Sequence, residues 1–402
     1  MEKTTLRRAA VTILCALLTA SAANATSYPR IYVFGDSLSD AGNDWIVTGK
    51  ALPLSPPYSS GRFSNGAVWV QDLAPSIGAG VLKASLAGGT DFAYGGAESG
   101  QTNVHQVLPI DLPGQLVEFG TTVGTASSNA LIVLWIGAND LFDILAKIGQ
   151  TQSQITEEMD QVVKNEANFV TAIMVLGARN LMIVTAPDLG VTPDVTSQGP
   201  AAAAAATTLS KAYNALLIAK MKSLASTYRL HLTIVDSFAL IDGAVADHAK
   251  YAFTNVTKPC WTGSYTSDDG TLCSKTLAGQ DKYLFWDTLH PTAKSHTLIA
   301  AAAKLALAAP TARATLAAYQ LRQRGHNSLL KKGGRMIAGA IALEIANVAR
   351  RAGLRSHQSS KQRACTCGYP HRQCPPKRDP DRAHNHAGAA DLGRETTQAA
   401  QK

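Results

Sequence analysis

Four short apolar runs punctuate the first three-quarters of the chain. Ile31-Tyr-Val-Phe34 stops at Gly35, and residues 131–136 stop at Gly137. Residues 181–185 stop before Ala186-Pro187-Asp188, and residues 232–235 stop at Asp236. None of the runs alternates apolar with polar positions, so each reads as a strand of a parallel sheet covered on both faces. Helical patterns fill the gaps. Residues 157–176 carry apolar positions at helical spacing. Pro200, well placed for a first turn, opens an alanine run over 201–206 and a helix reaching about residue 226. Pro291 opens another Ala-rich helix ending near residue 308. This alternation predicts an α/β domain over residues 27–310, a three-layer α/β/α sandwich around a mostly parallel central sheet. Sites in such folds form at the carboxyl ends of the strands, so the polar residues just after each run are the place to look for chemistry.

The two ends of the chain read differently. Lys3, Arg7 and Arg8 precede an apolar run over 9–23, and Ala23-Asn24-Ala25 supplies a small-x-small site. Residues 1–25 are read as a signal peptide cleaved after Ala25, too short for a membrane span. Leu14 before Cys15 is too large for lipoprotein processing. The expected destination is secreted or periplasmic. At the other end, residues 311–324 could extend a helix, but residues 355–402 are polar, basic and rich in His, Pro and Gln, and are expected to be disordered.

Composition sharpens this division. With 46% apolar and 16% charged residues, the 402-residue chain can bury a large core, which excludes wholesale disorder. The net charge of +8 comes from the tail: residues 311–402 carry +12 and residues 1–310 carry −4. The basic balance therefore predicts no nucleic-acid partner for the domain, and no stable protein partner is expected. Cys365, Cys367, His371 and Cys374 do not have a standard zinc spacing, so no metal is expected.

One constellation carries chemistry. Ser37, in Phe34-Gly35-Asp36-Ser37-Leu38-Ser39-Asp40, stands three residues beyond the first strand run. A serine hydroxyl needs a base before it can attack. His290 offers one, with Asp287 three residues upstream to hold its tautomer. His105, His231, His248 and His296 lack such a partner. The oxyanion that forms on an attacked carbonyl needs donors. Gly95-Gly96 offers backbone N–H groups, Asn139 a side-chain amide, and Ser37 its own N–H. Cys260 and Cys273 bracket a short loop just before Asp287. Export permits a disulfide there, worth about 3 kcal/mol.

Together these blocks resemble the GDSL, or SGNH-hydrolase, family of esterases and lipases. Phe34-Gly-Asp-Ser-Leu-Ser-Asp-Ala-Gly-Asn43, Gly88-Gly-Thr-Asp-Phe-Ala-Tyr-Gly-Gly-Ala97, Gly137-Ala-Asn-Asp140 and Asp287-x-x-His290 fall in the family order. Asp91 stands where the family often has Asn. Pro56-Pro-Tyr-Ser-Ser-Gly-Arg-Phe-Ser-Asn65 resembles the branch shared by plant and secreted bacterial lipases. The resemblance implies a flavodoxin-like SGNH fold, Gly96 as the oxyanion glycine with Gly95 the adjacent possibility, and no cofactor. It implies a secreted serine ester hydrolase working through Ser37, His290 and Asp287; lipid esters are favoured as substrates by the aromatic residues near the blocks, and transient contact with a membrane surface is expected. Trp45, Tyr58, Phe63 and Phe142 lie near the blocks as candidates for an acyl pocket or for the core. An acyltransferase, or an esterase of glycans or polyesters, would use the same site. A non-catalytic surface-binding protein is the remaining rival.

Overall fold

The computed structural model describes residues 27–100 and 110–308. The expected signal peptide, His105 and the basic tail with Cys365, Cys367, His371 and Cys374 lie outside them. Strands β1 (Ile31–Gly35), β2 (Leu131–Trp135), β3 (Asn180–Val184) and β4 (His231–Val235) form a parallel sheet in the order β1-β2-β3-β4. All four fall on the predicted apolar runs, within a residue at each end. The helices that position the site are α1 (Trp69–Ser76), α2 (Leu112–Thr122), α3 (Ala138–Ala146), α4 (Gln152–Val175), α5 (Pro200–Tyr228), α6 (Ser237–Ala246) and α7 (Ala293–Ala308).

The pleat of the sheet divides the core. Tyr32, Phe34, Ile132, Leu134, Leu181 and Ile183 face one side, under Phe119 of α2, Val170 of α4 and Leu217 of α5. Their neighbours Ile31, Val33, Leu131, Val133, Met182 and Val184 face the other, under Leu73 of α1 and Ala303 of α7. Successive residues alternate faces in a strand, and here both faces are covered. That is why the runs of β1, β2 and β3 are apolar and why the layers are helix, sheet and helix, whereas the edge strand β4 is only half-buried and includes Thr233.

The outer edge of β1 is also occupied. Val33 N–H donates to Thr90 O at 3.0 Å, and Phe92 N–H donates to Val33 O at 2.8 Å, so an extended segment at 90–92 runs parallel to β1. The chain leaves β1 for that edge and then crosses to β2 on the opposite side. The order therefore reverses between β1 and β2, and a flavodoxin-like sheet opens its ligand crevice at that switch point.

Element boundaries follow local chemistry. Helix α4 begins at Gln152, five residues earlier than the apolar spacing predicts. The Thr151 hydroxyl accepts from Gln154 N–H at 3.3 Å, and Gln154 Oε1 accepts from Thr151 N–H at 2.9 Å, a reciprocal cap. Helix α7 begins at Ala293, because Pro291 is still bridged to Phe285. A small parallel sheet, β5 (Asn255–Pro259) and β6 (Tyr283–Phe285), has no counterpart in the expected elements, since Asn, Lys and Pro interrupt β5. Cys260 and Cys273 are joined as a disulfide, and Trp261 N–H donates to Trp286 O, so this loop ends beside Asp287.

Candidate active site

The turn after β1 is fixed before any side chain is considered. A Cβ on Gly35 would lie 2.1 Å from Trp135 O, so the close approach of β1 to β2 at this point excludes every side chain. Gln115 of α2, fully buried, clamps the same peptide. Its Oε1 accepts from Gly35 N–H at 2.9 Å and its amide donates to Gly35 O at 2.7 Å. Asp36 Oδ1 then accepts from Leu38 N–H at 2.9 Å, and Asp36 O accepts from Ser39 N–H at 3.0 Å. Ser37 sits at the apex of this turn, at the carboxyl edge of the sheet.

A second tight loop follows β6. Asp287 Oδ1 accepts from the N–H groups of Leu289 at 2.8 Å and His290 at 2.7 Å. Trp286 N–H donates to His290 O at 2.7 Å. The three-residue spacing lets one carboxylate both cap its own loop and face the imidazole. Asp287 Oδ2 lies 2.7 Å from His290 Nδ1, and His290 Nε2 lies 2.9 Å from Ser37 Oγ. The three predicted residues thus form one line across 253 positions of sequence, all nine-tenths buried or more. Asp287 Oδ2 also accepts from Tyr58 O–H at 2.7 Å.

The third group of predicted residues comes together beside Ser37. Gly96 adopts φ +75°, a left-handed conformation that glycine takes at no steric cost. Asn139, in the first turn of α3, donates to Ala97 O at 2.8 Å. Asp140 accepts from the Ser99 hydroxyl at 2.7 Å and from Ser99 N–H, stapling the two loops together. Gly95 N–H is committed to Asp40 Oδ2 at 3.3 Å. Among the described residues the N–H groups of Ser37 and Gly96 have no acceptor, which separates Gly96 from Gly95 as the glycine with a donor to offer.

Electrostatics suit proton transfer from a hydroxyl. Burial pulls the His290 pKa down, but the Asp287 charge and hydrogen bond, with Asp36 adding to them, leave it net above its ordinary value. Burial pushes the Asp287 carboxyl up, and the His290 charge with four donated hydrogen bonds leaves it net below the usual range. Asp36, 1% exposed with Oδ2 unpartnered, is pushed up to about 7, chiefly by burial. His296 is buried and pulled down to about 3 by burial and then by the charge of His290.

The cleft over Ser37 is lined mainly by apolar side chains, among them Leu38, Phe142, Leu189, Ile241 and Phe285. Of the four aromatics weighed as pocket residues, only Phe142 lines this cleft. Phe63 packs against the His290 ring, centroids 5.2 Å apart and the planes tilted by 35°, and Lys50 lies over the Trp45 ring. Tyr58 is instead a hydrogen-bond donor to Asp287, a role with no signal in its immediate sequence. Gln115, a lone amide in α2, gives no sequence signal either. His231, His248 and His296 bond neither Ser37 nor Asp287.

A hydroxyl, an imidazole and a carboxylate thus lie in line, with open N–H groups beside the hydroxyl, at the carboxyl edge of the sheet of an α/β/α scaffold. The family model for GDSL-like lipase/acylhydrolase matches residues 31–303, and the chain belongs to that family. By class it is a carboxylic ester hydrolase. Phosphatidylcholine-sterol acyltransferase of Aeromonas hydrophila is 27% identical over 325 residues, covering 71% of this chain and 92% of its own. The GDSL esterase/lipase EXL2 of Arabidopsis thaliana is 29% identical over 330 residues, covering 68% and 86%. Among solved structures, the lipase Lip_vut3 from a goat rumen metagenome covers 69% of this chain and 96% of its own, at 13% identity and a TM-score of 0.36. That likeness is too distant to carry chemistry.

Proposed function

We propose that this protein is a secreted serine esterase acting on acyl esters of lipids or short-chain carboxylic acids, through a Ser37–His290–Asp287 triad. Ser37 Oγ attacks the ester carbonyl while His290 Nε2 takes its proton. The N–H groups of Ser37 and Gly96 and the Asn139 amide hold the oxyanion. The imidazolium, oriented and stabilised by Asp287, gives its proton to the leaving alcohol. Water, deprotonated by the same imidazole, then attacks the acyl-enzyme and restores Ser37. No step in this sequence requires a metal or organic cofactor.

The observation that carries the reading is the unbroken line from Ser37 Oγ through the imidazole to Asp287 Oδ2, at 2.9 and 2.7 Å. The apolar lining of the cleft supports an acyl chain as the group bound there. A second alcohol replacing water would turn the same site to acyl transfer, a reading favoured by the name and coverage of the Aeromonas relative. Export is supported by the basic, apolar and small-residue order of the first 25 residues and by the Cys260–Cys273 disulfide. Among the described residues no helix is long and apolar enough to cross a membrane.

The test is fluorophosphonate labelling followed by peptide mapping. Wild type should be labelled at Ser37, and folded Ser37→Ala should be neither labelled nor active on p-nitrophenyl esters. Labelling of another serine, or hydrolysis by Ser37→Ala, refutes the assignment. Product analysis with a long-chain alcohol added to the assay separates hydrolysis from transfer.

A further inference from the structure

The block Pro56-Pro-Tyr-Ser-Ser-Gly-Arg-Phe-Ser-Asn65 supplies neither the hydroxyl, the base nor an oxyanion donor of the reaction. In the structure it wraps the loop that carries Asp287 and His290. Tyr58 O–H donates to Asp287 Oδ2 at 2.7 Å, from a side chain that is 2% exposed. The Phe63 ring packs against the imidazole at a tilt of 35°. Ser64 Oγ donates to Pro291 O at 2.9 Å, and Asn65 Oδ1 accepts from Ala293 N–H at 2.7 Å. Ser59 N–H closes back onto Ser64 O at 2.9 Å, which makes the segment a self-bonded strap. Its contacts fall on residues 287, 290, 291 and 293 in turn, from the carboxylate to the start of α7.

We propose that residues 58–65 are a strap that positions the acid–base pair, and that Tyr58 is a positioning residue sharing Asp287 Oδ2 with the His290 Nδ1–H. The inference rests on the triad reading and deepens it. A carboxylate oxygen that accepts two hydrogen bonds is fixed in direction, and the imidazole is aimed with it. The second donor also draws charge from the oxygen that faces Nδ1. Without it the carboxylate attracts the imidazolium more strongly, so proton affinity at His290 rises while its aim loosens.

The charged and titratable groups around His290 are Asp287 in its own loop, Asp36 from the turn after β1 and His296 from α7. Tyr58→Phe removes a neutral donor and leaves those groups in place. It also keeps the ring that packs edge-on against Trp286.

The experiment measures kcat and KM for p-nitrophenyl butyrate from pH 5 to 9, on wild type and Tyr58→Phe of equal melting temperature. We expect kcat to fall about tenfold with KM within roughly twofold. The midpoint of the acid limb of kcat/KM should move up by roughly half a pH unit. The far-downfield proton resonance of the Nδ1–H···Oδ2 bond should shift in the same variant. An unmoved midpoint and resonance overturn the proposal and leave Tyr58 as packing. If Tyr58→Phe does not fold, 3-fluorotyrosine placed at position 58 keeps ring and hydroxyl but donates more strongly. Its midpoint should then move down, and an unchanged midpoint overturns the proposal equally. Fluorophosphonate labelling of the same preparations separates the two failures. A wild type not labelled at Ser37 sinks the triad reading itself, and the strap with it. Labelling at Ser37 with an unmoved midpoint sinks the strap alone.

Discussion

Asp287→Asn tests the triad reading most severely, because its effect can be worked out from four contacts. Oδ1 accepts from two backbone N–H groups at 2.8 and 2.7 Å, and Oδ2 accepts from His290 Nδ1–H and Tyr58 O–H, both at 2.7 Å. Every partner donates. An asparagine offers one acceptor oxygen and one donor nitrogen, so one pair of contacts must become donor against donor. If the nitrogen faces the loop, the buried His290 N–H and the half-buried Leu289 N–H, which cannot turn away, lose their acceptor, at about 1–3 kcal/mol for the buried group. If it faces Tyr58 and His290, the phenol can rotate to accept, and the imidazole can accept by moving its proton to Nε2. The second arrangement is therefore favoured, and it is the damaging one: Nε2–H cannot take the proton of Ser37. Such a tautomer error in a serine triad lowers turnover by about 10⁴. That corresponds to about 5.4 kcal/mol of barrier. The pH profile adds a sign. Neutral imidazole is the active form, and His290 is held above its ordinary value with Asp287 as the main upward cause. Wild-type kcat/KM should therefore rise through a midpoint above ~6.5 and level off. The variant should reach its far lower plateau at a lower pH, because the charge that raised the pKa is gone. The assay is hydrolysis of a soluble p-nitrophenyl ester across pH 5–9, with melting temperature as the control for folding. A plateau within tenfold of wild type, or a midpoint that moves upward, would refute the reasoning. Another carboxylate would then have to orient His290, although Asp236 caps α6 through Ala239 N–H and Asp188 is held by Gly190 N–H and Thr207.

Three further outcomes follow from the same contacts. Asn139→Ala should lower kcat by about 10²–10³ with KM little changed, and wild-type turnover would remove Asn139 from the oxyanion site. Cys260→Ser should cost about 3 kcal/mol, read as a lower urea midpoint, and an unchanged midpoint would show that the disulfide contributes nothing. Truncation near residue 325 should leave melting temperature and ester hydrolysis unchanged, whereas loss of folding would show that the removed residues belong to the domain.

What could be read from sequence followed from one physical fact. A strand buried on both faces must be apolar at nearly every position, so β1, β2 and β3 stood out as apolar runs, while the half-buried edge strand β4 tolerates Thr233 and begins at the exposed His231. The polar residues just after such runs lie at the carboxyl edge, and Asp36, Ser37 and Asn139 are of that kind. Asp287 and His290 could be paired because a three-residue spacing on a tight loop brings the carboxylate within reach of the imidazole; the structure adds that the same carboxylate caps its own loop. Strand β5 could not be read the same way. Its exposed positions carry Thr257 and Lys258, so no apolar run marks it, and its pairing with β6 depends on a partner 24 or more residues away.

The residues that hold the site in place were hidden for a different reason. Gln115 bonds the Gly35 peptide across 80 positions, and Tyr58 bonds Asp287 across 229. Neither distance leaves a periodicity, and a lone amide or phenol has many innocuous uses. What the sequence did contain was a block of Pro, Tyr, Ser, Gly, Arg, Phe and Asn residues, Pro56 to Asn65, that supplies none of the reacting groups. Its aromatics drew attention as pocket candidates because aromatic area usually means burial or binding. The contacts show a different use of the same side chains: Tyr58 through its hydroxyl on Asp287, Phe63 through a tilted ring contact with His290, and Asn65 through an acceptor for the first N–H of α7. A chemically silent block beside a chemically explicit one is therefore a positional signal. Its residues contact the loop that carries the acid–base pair, and their identities become intelligible only when the fold brings that loop within hydrogen-bond reach.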